Sequence, residues 1–187
     1  RWLRTLEGVD SARVVAAGYS AGGHLAACAG LLPPVEPGSP SPRPDAMVLL
    51  NPVTQVVRPG DYEVIEELSP IAHVTPGAPP TLISYGTRDY LRPLITKFAD
   101  ALQAAGNRCD VVAMDGAHTV VHAPLRKREA YIAAIQPIDD FLVALGILRG
   151  GVDIADHVDA MDAFEILGGR SEMSDPRKTR PRRTRLS

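Results

Sequence analysis

Cysteine is scarce. The 187 residues hold two, Cys28 and Cys109, too few for a disulfide scaffold, and each falls in an apolar stretch as a small buried filler. Long apolar runs are missing as well: none approaches the ~18 residues that a bilayer-spanning helix needs, which excludes a transmembrane helix, and no membrane partner is expected. There is no start methionine, no apolar signal region and no cleavage site; Arg1-Trp2-Leu3-Arg4 reads like the end of a helix already under way. The cytoplasm is the default compartment, with secretion left open because the true N-terminus is read as missing. No Cys or His pair has zinc-ligand spacing, and phosphate loops of the G-x-G-x-x-G and G-K-[ST] types are absent, so no metal and no cofactor is expected. Acid is absent from the last twelve residues, Pro176 to Ser187, which carry six bases, leaving a net charge near −8 on residues 1–175. Such a run can bind nucleic acid or a membrane surface. With its prolines, its terminal position and its lack of aromatics it reads instead as a solvated, disordered tail, and no nucleic-acid partner is expected.

What is present is ordinary globular material, 45% hydrophobic and 22% charged, which excludes a wholly disordered or collagen-like chain. Arg13 to Ala17, Ala46 to Leu50, Thr81 to Tyr85 and Cys109 to Met114 are short apolar runs; the first is continuous without alternation, the pattern of a strand buried on both faces. Ala21 to Leu32 is rich in Ala and Leu and stops at Pro33-Pro34, a helix with a terminator. Residues 33–45 hold six prolines and form a loop. Asn51-Pro52 closes the second strand, and Tyr62 to Leu68 could form a short helix. Pro93 opens a helix with Leu94, Ile95, Phe98 and Leu102 on one face and Gly106 as its cap. A long helix from about Leu125 to Leu148 presents Tyr131, Ile135, Ile138, Leu142 and Leu145, with a kink expected at Pro137. Strands separated by helices or long crossovers imply an open α/β sheet, mostly parallel, with helices on both faces. Four such strands with a helix fragment in front make half of a doubly wound domain. The expected organisation is therefore a domain over 1–148 lacking its N-terminal half, and an extension over 149–187 that contains one weakly amphipathic segment, Ile154 to Leu167.

Gly18-Tyr19-Ser20-Ala21-Gly22 matches G-x-S-x-G. Composition alone would produce the pattern in roughly one such sequence in fifteen, but here a buried strand ends just before it and an Ala-rich helix begins within it, as a nucleophile elbow requires. The flanking glycines leave room for a sharp turn that lifts the serine hydroxyl clear of the sheet, at a helix N-terminus whose partial positive charge favours an oxyanion. A serine hydroxyl is a weak nucleophile at neutral pH and needs a base and an orienting acid, in the order Ser, Asp or Glu, His for this architecture. Ligands of open α/β sheets bind at the carboxyl ends of the strands. Asp89 lies four residues after the third strand and His118 four after the fourth, on the rim that holds Ser20. Asp89 could also cap the following helix, Asp115 reads as a turn residue, and His122 rivals His118 if Thr119-Val120-Val121 extend the strand. His24, one turn after Ser20, reads as a packing and hydrogen-bonding residue, His73 as a brace for the loop before the third strand, and His157 as a surface residue.

With these residues in place, the chain resembles the esterase and lipase-like branch of the α/β-hydrolase superfamily. The resemblance is carried by Gly18-Tyr19-Ser20-Ala21-Gly22-Gly23-His24-Leu25-Ala26, Ser69-Pro70-Ile71, Pro79-Pro80-Thr81-Leu82-Ile83, Gly86-Thr87-Arg88-Asp89, Ala105-Gly106-Asn107-Arg108-Cys109 and Gly116-Ala117-His118, an ordered set over about residues 1–148. Arg92 stands before Pro93 where the family usually has Val or Ile, and Thr119-Val120-Val121 replace its common Gly-Phe after the histidine. The family's upstream His-Gly-Gly motif, which supplies part of the oxyanion hole, would precede residue 1, leaving Ala21 N–H as the donor in this chain. One such donor contributes about 3–4 kcal/mol in the transition state.

The resemblance implies a carboxylic ester hydrolase working through an acyl-enzyme, with Ser20 as nucleophile, His118 as base, Asp89 as orienting acid and Ala21 N–H as oxyanion donor. Short-chain acyl esters, acetylated sugars among them, are the small-molecule substrates it implies. Two rivals stand beside it: a prolyl-oligopeptidase-like serine peptidase domain, and a catalytically silent α/β fragment acting as a binding module.

Overall fold

The computed structural model describes residues 1–34, 40–60, 62–118, 128–150 and 154; His122, His157, the segment Ile154 to Leu167 apart from its first residue, and the basic tail lie outside the described residues. By its internal contacts the chain divides into two units, Arg1–Val152 and Asp153–Ser187. The first unit holds all the elements that follow.

Four strands, β1 (Val15–Tyr19), β2 (Ala46–Leu50), β3 (Thr81–Gly86) and β4 (Cys109–Met114), form one sheet in the order β1-β2-β3-β4, with every pairing parallel. Helices α1 (Ala21–Leu31), α2 (Arg92–Ala104) and α3 (Arg128–Ala144) follow β1, β3 and β4. Side chains alternate across a strand, and in β2 that alternation feeds two cores. Met47 and Leu49 point to one face, where they meet Ala26, Ala27 and Leu31 of α1 and Ile95, Phe98 and Leu102 of α2. Ala46 and Val48 point to the other, where Leu82, Phe141 and the flanking Ile138 and Leu142 close over them. Helices therefore cover both faces; β2 carries a continuous apolar run and β3 is buried at every residue, because neither face meets water.

β1 departs from the sequence expectation. It begins at Val15 rather than Arg13, and it is half-buried with Ala17 exposed instead of buried on both faces. Among the described residues its one strand neighbour is β2, so its outer side has less cover than a central strand would have. The Tyr62 to Leu68 helix is replaced by an antiparallel bridge between Val57 and Val64 and two 3-10 turns, Glu66–Leu68 and Pro70–His73. Trp2–Thr5 is likewise a single 3-10 turn. In α2 the buried stripe is Ile95, Phe98, Ala99 and Leu102, with Leu94 half-buried at its edge. In α3 the fully buried positions are Ala134 and Phe141, which Ile135 and Ile138 flank. Pro137 lies inside α3.

Candidate active site

β1 ends at Tyr19, α1 begins at Ala21, and Ser20 between them is the only link. So abrupt a reversal forces Ser20 to φ 52° and ψ −115°, a conformation that residues with side chains avoid and that costs on the order of 1–3 kcal/mol. Neighbours hold it there. Ser20 N–H donates to Leu50 O at 2.9 Å, and the Ser20 carbonyl accepts from His24 N–H at 3.0 Å and Val53 N–H at 3.3 Å. Gly18 is obligatory, since a Cβ there would stand 2.1 Å from the Gly22 carbonyl oxygen. Ala21 is the first residue of α1, so its N–H belongs to the helix's first turn, whose amides have no intrahelical acceptor.

The structure brings Ser20, Asp89 and His118 together. His118 Nε2 lies 2.9 Å from Ser20 Oγ, and His118 Nδ1 lies 3.1 and 3.0 Å from the two carboxylate oxygens of Asp89. With Nδ1–H donating to Asp89, Nε2 is left as the acceptor that faces the serine hydroxyl. The Asp89 side chain is fully buried and that of His118 is 17% exposed, so the carboxylate is shielded while the imidazole reaches the surface. Burial pushes the Asp89 carboxyl up, but the Asn51 amide, the Leu91 N–H and His118 together outweigh burial and hold it below its ordinary value.

The histidine loop is fastened from three sides. Thr87 N–H donates to Met114 O and Arg88 N–H to Gly116 O, both at 2.8 Å. Gly86 lets this loop lie against the end of β3, because a Cβ there would meet the Gly116 and Ala117 carbonyl oxygens at 2.4 Å. Tyr19 donates its hydroxyl to the His118 carbonyl oxygen at 2.6 Å, and its ring and that of Tyr90 lie 5.3 and 5.0 Å from the imidazole. Burial, with Asp89 and Tyr90 adding to it, raises the Tyr19 phenol above its usual value.

Asp89 also performs the capping role considered from the sequence: its Oδ1 accepts from Leu91 N–H at 2.9 Å, at the residue preceding α2. Asp115 is paired with Arg88 at the surface. The His24 imidazole contacts the Leu68 carbonyl at 2.7 Å and Cys28 Sγ at 3.4 Å, and that of His73 contacts the Glu66 carbonyl at 3.1 Å. Cys109 is buried in β4, and burial, reinforced by Asp110 and Asp100, pushes its thiol up to about 12. Among the described residues no group of three His, Cys, Asp or Glu could hold a metal ion, and no helix is long and apolar enough to cross a membrane.

Sequence reasoning missed Asn51, reading it only as the end of β2. It is fully buried at φ 46°, and its Nδ2 donates to Asp89 Oδ2 at 2.5 Å. The available signal was its place: an amide at the carboxyl end of a central strand lies on the same rim as Ser20, Asp89 and His118.

A parallel sheet covered on both faces, with a strained strand–serine–helix turn at its carboxyl rim, defines the class of fold: the chain has an α/β-hydrolase fold. No protein-family model and no curated protein matches it, but solved structures do, esterases among them. A thermophilic esterase from the planctomycete Thermogutta terrifontis, Est2 in its native form, shares 34% identity over 81% of this chain and 63% of its own, with a TM-score of 0.71. The butyrate-bound form matches at 32% identity and TM-score 0.68 over 81% of this chain and 64% of that one. The form phosphonylated by cyclosarin matches at 35% and 0.68 over 77% and 59%. The chain thus spans less than two thirds of the length of the esterases it resembles.

Proposed function

We propose that this chain carries the acyl-transfer centre of a serine carboxylic ester hydrolase. The observation that carries the reading is the continuous contact from Ser20 Oγ to His118 Nε2 at 2.9 Å and from His118 Nδ1 to Asp89 at 3.0 Å. In the first half-reaction Ser20 Oγ bonds to the ester carbonyl carbon while its proton passes to His118 Nε2. Negative charge gathers on the former carbonyl oxygen, where the Ala21 N–H and the N-terminus of α1 offset it. The bond to the alcohol oxygen then breaks, and His118 returns the proton to that oxygen. In the second half-reaction water bonds to the acyl carbon while His118 takes its proton, the bond from that carbon to Ser20 Oγ then breaks, and His118 returns the proton to Oγ as the carboxylic acid leaves. Asp89 remains ionised throughout, holding Nδ1–H and stabilising the imidazolium.

Short acyl esters are the substrates this reading favours. The butyrate held by the Thermogutta terrifontis enzyme is a short acyl group, and that protein's phosphonylation by cyclosarin is the reaction expected of an activated hydroxyl nucleophile. Acetylated sugars remain a narrower version of the same proposal.

The test is labelling of the purified chain with a fluorophosphonate, located by mass spectrometry, beside Ser20→Ala and His118→Ala. A single adduct on Ser20, abolished in Ser20→Ala and slowed at least a hundred-fold in His118→Ala, is expected on the magnitude of nucleophile–base coupling. A chain that is folded by circular dichroism yet takes no label would overturn the claim that it carries a working nucleophile.

A further inference from the structure

Asp89 meets His118 with both carboxylate oxygens, and something must hold the carboxylate against rotation about its own bond. Leu91 N–H restrains Oδ1. On Oδ2 the restraint is the Asn51 side chain. That amide is unusual in how little else it does. Among the described residues its Oδ1 is buried with no hydrogen-bond partner, and the Ser84 hydroxyl is buried and unpartnered too. Leaving a buried carbonyl oxygen unpaired is unfavourable, so a residue whose task was only to end β2 would gain from losing the amide altogether. The turn itself is secured through the backbone, by Asn51 N–H donating to Ser84 O at 2.7 Å. The direction of the amide is also determined: with its oxygen toward Asp89 it would face a carboxylate, so the Nδ2 end must do so.

We propose that Asn51 is a positioning residue of the triad, its buried amide committed to Asp89 so that the carboxylate is kept facing His118 Nδ1. This rests on the serine-hydrolase reading above. Two substitutions separate the amide from the backbone role. Asn51→Gly keeps the positive φ without strain and removes the donor. Asn51→Asp keeps size and tolerance of positive φ but presents an acceptor, or a donor only when protonated.

The experiment follows fluorophosphonate labelling of Ser20 from pH 5 to 9 in the full chain and in both variants, with thermal unfolding and a carbon-13 titration of the Asp89 carboxyl on the same samples. Expected is a fall in labelling rate of about ten- to a hundred-fold in both variants, the size of one hydrogen bond to a charged group. Relative to the unsubstituted chain the Asn51→Gly deficit should be flat with pH, whereas the Asn51→Asp deficit should shrink on acidification as its own carboxyl regains a proton to donate. The Asp89 titration should move upward in Asn51→Gly. Equal labelling rates in the unsubstituted chain and folded Asn51→Gly, or an unmoved Asp89 titration, would overturn the proposal. If the unsubstituted chain takes no label, the serine-hydrolase reading fails on its own, and the carboxyl titration still decides whether Asn51 governs Asp89.

Discussion

Residues around Ser20 trade local comfort for position. Ser20 and Asn51 both adopt positive φ, and Gly18 and Gly86 are glycine because backbone oxygens occupy the space a Cβ would need. Tyr19 shows how one residue joins two segments far apart in sequence. As the variable position of the G-x-S-x-G motif it carries no motif information, yet its hydroxyl reaches the carbonyl of His118 at 2.6 Å. Tyr19→Phe removes one hydrogen bond worth about 1 kcal/mol, so labelling of Ser20 is expected to slow by about five-fold, with the unfolding free energy falling by no more than about 1 kcal/mol. A labelling rate equal to that of the unsubstituted chain would show that the loop is held adequately by the Thr87 and Arg88 amides alone.

Among the elements, α3 contains a local conflict. Pro137 sits inside Arg128–Ala144 and can donate no hydrogen bond to the carbonyl of Ala133, a defect that costs about 3 kcal/mol in a regular helix. The helix persists because Phe141 and Ala134 are buried, with Ile138 and Leu142 packed beside them over Val48 and Leu82. Burial of a large apolar side chain contributes roughly 1.5–3 kcal/mol, so packing offsets the missing bond. Pro137→Ala is therefore expected to raise the urea midpoint, by at most ~3 kcal/mol in unfolding free energy. A lowered midpoint would mean that the proline ring, half-buried in this helix, contributes packing that outweighs the restored hydrogen bond.

At the scale of the whole molecule, the site and the stability of the fold share a carboxylate. Asp89 binds its proton less readily when folded than in the unfolded chain, despite its burial, because Asn51, Leu91 and His118 favour the ionised form. Its contribution to stability is complete above the ordinary aspartate value of about 3.9 and is lost as pH falls through the lower folded value. Urea unfolding of the unsubstituted chain and of Asp89→Asn should differ most at neutral pH and converge toward pH 2–3. A gap that is constant with pH would mean that Asp89 is no more ionised in the fold than in the free chain.

The amino-acid sequence by itself determined the elements and their order, because that information is local: apolar runs bounded by Pro and Gly, helical periodicity, and a motif whose glycines make sense only at a strand-to-helix turn. β2 and β4 were legible to the residue. Ser20, Asp89 and His118 could be placed on one rim, since each follows the carboxyl end of a strand in a parallel sheet. Burial was less legible. β1 reads as apolar as β2, but whether an apolar strand is covered depends on its neighbours, which no local pattern encodes. The bridge at Val57 and Val64 replaced a helix for the same reason, a contact between two residues outside the sheet outcompeting a weak local preference. Only the tertiary structure decided that Asn51 and Tyr19 touch Asp89 and His118. Those contacts join residues 38 and 99 positions apart, and the partners are brought together by the register of the sheet rather than by anything in their own segments.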